Sequence, residues 1–121
     1  MTTTLYHGTH HADLPRHIGL SLTPDFSAAR EYARVREGEW IHEVTLDLDG
    51  LTVEEIEVDL RACRDSDCWP GDSARDLRDY AARGVDVIVF DDCCHAQAHR
   101  TYRLVSERAL AALTYEGGYD P

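Results

Sequence analysis

The run Val85-Asp86-Val87-Ile88-Val89-Phe90 restricts the choice of fold more than any other stretch of the chain. Its apolar character is nearly continuous and rich in β-branched residues, the pattern of a strand covered on both faces. Such a strand needs partners at its edges and helices or a second sheet over its faces, so the rest of the chain must supply them.

The flanking sequence offers both. Ser73 to Arg83 reads as a helix, with Asp72 or Ser73 as its cap and Gly84 as its stop. A second helix runs from Asp25 or Ser27 to about Arg36, because either residue can cap it and Phe26, Ala29, Tyr32, Ala33 and Val35 group on one side; Gly38 ends it. Trp40, His42, Val44, Leu46 and Leu48 alternate with Ile41 and more polar positions, which predicts a half-buried strand over 40–48 closed by Asp49-Gly50. Short strands are expected at 3–7 and 19–23, the second punctuated by Gly19 and Pro24, with His11 to His17 as a single helical turn or a loop. Residues 51–72 are acidic and irregular and close in a Trp69-Pro70-Gly71 turn, while Thr101–Ser106 and Ala109–Tyr115 supply two more strands. The order is α+β, without a regular βαβ crossover pattern.

With 121 residues the chain has the size of one domain, expected to span residues 1–121. No apolar run approaches the ~20 residues of a membrane span, and the first residues lack the basic-then-apolar order of a signal peptide, which makes the cytoplasm the expected location. The formal net charge is -11, and every one of the twelve basic residues is arginine. A chain without lysine has no Schiff-base amine, no phosphate-loop lysine and no lysine to adenylate. Its acidity opposes general binding to nucleic-acid backbones and suits a basic partner. Cys63, Cys68, Cys93 and Cys94 match no common zinc spacing even with His95 and His99 nearby, so no metal is expected and the thiols read as reduced and mostly buried.

The candidate chemistry begins at Leu5-Tyr6-His7-Gly8-Thr9. A glycine at a strand end lets a ligand approach the backbone, and an imidazole beside it can hydrogen-bond a sugar hydroxyl. Next comes Gly19-Leu20-Ser21-Leu22-Thr23, then Ala28-Ala29-Arg30-Glu31-Tyr32-Ala33, a strand feeding a helix whose small residues leave room beside one tyrosine for a flat aromatic ligand. Taken alone, a histidine at a strand end is more often a surface or core residue than a ligand contact, and packing in the core by an alanine-rich helix explains the tyrosine better than ligand stacking does.

Together, Tyr-His-Gly-Thr, Gly-x-x-x-Thr and Ala-x-x-x-Tyr-Ala resemble the His-Tyr-Glu, or diphtheria-toxin-like, branch of the ADP-ribosyltransferases, which includes the poly(ADP-ribose) polymerases. The resemblance covers residues 5–33 well and 84–110 more loosely, and in size and layout the chain is similar to small phage and bacterial members such as ADP-ribosylating anti-CRISPR proteins. It implies a compact, mainly antiparallel split β-sheet with short flanking helices, and NAD as substrate. By the same resemblance His7 binds a ribose hydroxyl, Gly8 pairs with the nicotinamide amide through its backbone, Tyr32 stacks on the nicotinamide, and Thr9 and Thr23 line the same site. The family's acidic residue steadies the oxocarbenium-like sugar. At the matching position this chain has Thr101, and no glutamate occurs between Glu57 and Glu107. Asp92 or Asp91 is the expected substitute carboxylate, ahead of Gln97 and His99, and Ala29 stands where many relatives have an amide-binding serine.

The implied activity is transfer of one ADP-ribose unit to a protein or nucleic-acid acceptor by a monomer or small homo-oligomer. A catalytically silent binding module or an acidic inhibitor is the alternative, favoured by the missing glutamate. RNA 2'-phosphotransferase chemistry would need a basic pocket, to which Arg16, Arg100 and Arg103 could contribute.

Overall fold

The computed structural model describes residues 1–35, 40–58, 70–92 and 98–120. It is a mixed α/β structure of seven strands and three short helices among these residues: β1 (Thr2–Thr9), β2 (Leu20–Leu22), α1 (Phe26–Val35), β3 (Trp40–Asp47), β4 (Val53–Glu55), α2 (Ala74–Ala82), β5 (Val87–Asp92), β6 (His99–Leu104), α3 (Glu107–Ala111) and β7 (Leu113–Tyr119). The strands form a three-stranded sheet, β1-β3-β7, and a four-stranded sheet, β2-β6-β5-β4. All pairings are antiparallel except β4 with β5.

β5 is the covered strand that its composition demands. Val87 and Val89 enter the core between the sheets, where they meet Leu5, Val44 and Leu46 from one side and Leu20, Leu22 and Leu104 from the other. Ile88 and Phe90 point the opposite way, as alternation requires, and pack with Leu77 and Tyr80 of α2. Each large apolar side chain so buried contributes about 1.5–3 kcal/mol.

The two sheets are joined where Tyr6 and Thr23 exchange backbone hydrogen bonds, Tyr6 N–H to Thr23 O at 2.7 Å and Thr23 N–H to Tyr6 O at 2.9 Å. Immediately afterwards α1 begins, capped by the Asp25 carboxylate, which accepts from the N–H groups of Ser27 and Ala28. Asp25 rather than Ser27 is therefore the cap. Ala29 and Ala33 of α1 form a small apolar cluster with Ile41 of β3 and the ring of Tyr6. The helix lies so close to β1 that a Cβ added at Gly8 would sit 1.9 Å from the Ala29 carbonyl oxygen and 2.8 Å from the Ala33 nitrogen.

Several expectations need correction. β4 falls in the stretch read as irregular and pairs in parallel with β5, so β4-α2-β5 is a βαβ crossover. Residues 109–111 belong to α3 instead of a strand, because the Ser106 side chain accepts from Ala109 N–H and starts a helix there; the last strand runs later, from Leu113 to Tyr119. Ser73 rather than Asp72 caps α2. β5 reaches Asp91 and Asp92, and β6 starts at His99. Residues 11–17 contain no helical turn. Arg36, Gly38, all four cysteines, Trp69, His95 and Gln97 lie outside the described residues.

Asp86 anchors the turn before β5. Buried, it accepts from Thr52 N–H at 2.8 Å and from the Ser106 hydroxyl at 2.7 Å. Burial alone would raise its pKa, but these two donors and the nearby Arg108 guanidinium outweigh that and hold it below the ordinary carboxylate value.

Two outcomes follow from this packing. Gly8→Ala should destabilise the fold by about 2 kcal/mol or more, because backbone rather than a flexible side chain occupies the space; urea denaturation measures it. A lowered folded pKa gives stabilisation that is complete above the unfolded carboxylate value of about 4 and is lost as pH falls through the folded one. Asp86→Asn should therefore be less stable at neutral pH and show a flatter loss of stability below about pH 4, read from melting temperatures across pH.

Candidate functional site

β1 sends alternate side chains to opposite faces. Tyr6 and Gly8 turn toward α1, whereas Leu5 and His7 turn toward the second sheet. The backbone alternates too. Tyr6 spends its N–H and C=O on Thr23, so in an unbroken antiparallel register Gly8, two residues on, turns its own pair to the same side, away from β3. Past Thr23 the sheets part, and neither Gly8 group meets a hydrogen-bond partner among the described residues. A donor and an acceptor thus lie side by side at the sheet junction, the complement of a primary carboxamide.

His7 Nδ1 lies 2.7 Å from the Ser21 carbonyl oxygen. A carbonyl only accepts, so Nδ1 carries the hydrogen, and in the neutral form of the ring Nε2 is the acceptor. In that tautomer His7 is suited to receive a hydroxyl hydrogen.

The second group of residues gathers where β5 ends and β6 begins. Asp92 and His99 face each other across the two strands, at 5% and 6% exposure. The Tyr32 hydroxyl donates to Asp92 Oδ2 at 3.4 Å, and the Tyr32 ring meets the His99 ring edge-to-face, with centroids 5.4 Å apart. Tyr32, Asp92 and His99 are therefore together, and α1 spans the distance from this group to Gly8 through its contacts at Ala29 and Ala33. Thr101, two residues beyond His99 and opposite Phe90, is buried on the same face. It is the diagonal neighbour of Asp92 across the two strands.

Alternation separates the two neighbouring aspartates. Asp91 is exposed on the other face and pairs with Arg100 at 3.2 Å, which also contacts Glu55. Thr9 and Thr23 are buried, but their hydroxyl oxygens accept from the backbone N–H groups of His11 and Asp25 and so shape the turns. Ala29 is enclosed by the Tyr6–Ala33–Ile41 cluster, where a serine hydroxyl would find an apolar setting.

Arg103 is a residue whose position sequence reasoning did not fix. It shares the face of His99 and Thr101, lies over the Phe90 ring at 5.2 Å, donates to Ser21 Oγ at 2.9 Å and to the Pro70 carbonyl, and pairs with Asp72 at 2.8 Å. Arg100 and Arg103 are both matched by carboxylates, and Arg16 is an exposed residue of the β1–β2 connection, so these three do not form a basic phosphate pocket. A depression of about 480 Å³ lined by Ile18, Leu77, Ala81, Val85 and Val105 contains none of the residues of this site. Among the described residues there is no group of three or more histidine, cysteine or acidic side chains placed to hold a metal, and no helix long and apolar enough to cross a membrane.

Comparison with protein-family models, curated proteins and solved structures gives no match to this chain.

The tautomer of His7 can be read directly. Nitrogen-15 NMR of the imidazole at neutral pH should show a protonated Nδ1 and an unprotonated Nε2; the reverse pattern would remove the acceptor from the site.

Proposed function

We propose that this chain has the ADP-ribosyltransferase fold and consumes NAD. Within that class the reading supported best is transfer of a single ADP-ribose unit to a macromolecular acceptor. The observation that carries it is the pairing at the sheet junction of Gly8, whose backbone donor and acceptor suit a carboxamide, with His7, whose Nε2 suits a sugar hydroxyl. Nicotinamide riboside carries a carboxamide at one end and ribose hydroxyls at the other. Tyr32 supplies an aromatic ring for the nicotinamide, on the helix whose Ala29 and Ala33 pack against Gly8.

In this reading the glycosidic C–N bond breaks and its electron pair leaves on the nicotinamide nitrogen. Positive charge develops on the ribose carbon, and the Asp92 carboxylate is the acidic group of this cluster able to stabilise it. The acceptor's nucleophilic atom then bonds to that carbon and loses its proton to Asp92 or to water. Asp91, turned to the other face and paired with Arg100, takes no part.

A second reading rests on Thr101. The position that holds a glutamate in the family is here a buried hydroxyl, which favours a module that binds NAD, or a basic partner, without turnover.

Calorimetry with NAD, followed by mass spectrometry of lysate incubated with labelled NAD, distinguishes these readings. Wild type should bind NAD and label a macromolecule. His7→Ala should bind about 10-fold or more weakly, since one hydrogen bond to substrate is lost. Asp92→Asn should keep binding and lose about 100-fold in transfer, whereas Asp91→Asn should retain both. Binding without labelling would support the silent module, and equally weak binding by wild type and His7→Ala would remove NAD from the account.

A further inference from the structure

His42 of β3 lies directly opposite His7 in the β1–β3 register, on the same face of the sheet, and is fully buried. Its Nε2 is 2.9 Å from the His11 carbonyl oxygen, so that nitrogen carries the hydrogen; its Nδ1 is 2.8 Å from the Tyr115 hydroxyl and accepts from it. Both ring nitrogens are thereby engaged, in the tautomer opposite to that of His7. Trp40 lies parallel to it, with centroids 6.4 Å apart. On β7, a Cβ at Gly118 would come 3.2 Å from the Tyr115 oxygen and 3.3 Å from Trp40 Cε3, so the glycine leaves the space this cluster fills.

Residues 10–19 connect β1 to β2. His42 holds the start through His11 O, Gly19 N–H donates to Leu104 O at the far end, and just beyond it His7 meets Ser21 O of β2. Between these points residues 12–16 make no backbone hydrogen bond to another element among the described residues, and Leu14 packs against the core. Thr9 completes the start by accepting from His11 N–H, directly after Gly8.

We propose that His42 is a positioning residue for the candidate site: by fixing His11 it sets the exit of the chain from Gly8 and Thr9, and thus the geometry in which Gly8 and His7 meet a ligand. The role in binding rests on the NAD reading above; the fastening of residues 10–19 does not. Tyr32 and Asp92 stand on α1 and β5, which this segment does not carry. Loss of the His42 contact should consequently weaken substrate binding, because the segment must be ordered on binding, while leaving the chemical step at saturation nearly unchanged.

The test compares His42→Phe, which keeps ring volume and loses both polar contacts, with His42→Gln, which retains a donor and an acceptor, and Tyr115→Phe, which removes only the Nδ1 partner. Amide hydrogen exchange without ligand should rise about 10-fold at the hydrogen-bonded amides of residues 10–19, His11 above all, in His42→Phe while β5 and β6 keep their protection. With NAD the same variant should show KM raised about 10-fold and kcat within about 2-fold of wild type, and His42→Gln and Tyr115→Phe should stay within about 3-fold on both. If His42→Phe does not fold, His42→Asn, too short to reach His11, takes its place. Exchange that rises across both sheets, a kcat that falls at unchanged KM, or no recovery in His42→Gln would each overturn the proposal. Should wild type fail to bind NAD, the functional reading falls, and exchange over residues 10–19 still decides whether His42 fastens the segment.

Discussion

The two hydrogen bonds between Tyr6 and Thr23 set the relation of everything else in the molecule. They tie a three-stranded sheet to a four-stranded one at a single rung, and the strands diverge on either side of it. On one side of the rung the divergence is filled by the apolar core between the sheets. On the other, the Gly8 backbone pair lies beside His7, buried under α1. The same rung fixes where α1 starts, since only Pro24 and the capping Asp25 separate Thr23 from the helix. Tyr32 is delivered to Asp92 and His99 by that placement.

Much of this was legible in the sequence. The nearly unbroken apolar run of β5 correctly demanded cover on both faces, the caps of α1 and α2 were each narrowed to two residues of which one is used, and α2 stops before Gly84 as read. What escaped was short or ambiguous. β4 has three residues, two of them glutamate, and takes its identity from parallel pairing with β5 rather than from any pattern of its own. Ala109 to Tyr115 has enough apolar residues to pass for a strand, and the decisive signal was the Ser106 cap just before it.

The site divided along similar lines. Asp91 and Asp92 are indistinguishable as letters, but strand alternation, once β5 is known to extend through both, sends one to Tyr32 and the other to Arg100. His42 was readable as an inward residue of β3. Its partners were not, because Tyr115 and His11 lie 73 and 31 positions away in sequence. Arg103 is a candidate phosphate ligand by sequence, and its carboxylate partner Asp72 reads there only as one of two candidate caps of α2.

The tight seat of α1 on β1 bears on how such motifs are interpreted in general. Of the pair His7-Gly8, the glycine is demanded by the architecture: backbone of the helix occupies the volume a side chain would need. A chain that retained this arrangement of helix and sheet and abandoned all chemistry would still have to place glycine there. Glycine at this position is accordingly a signature of shape, and the identity of the groups at His7, Asp92 and Thr101 is the better gauge of whether a molecule built this way is a working catalyst.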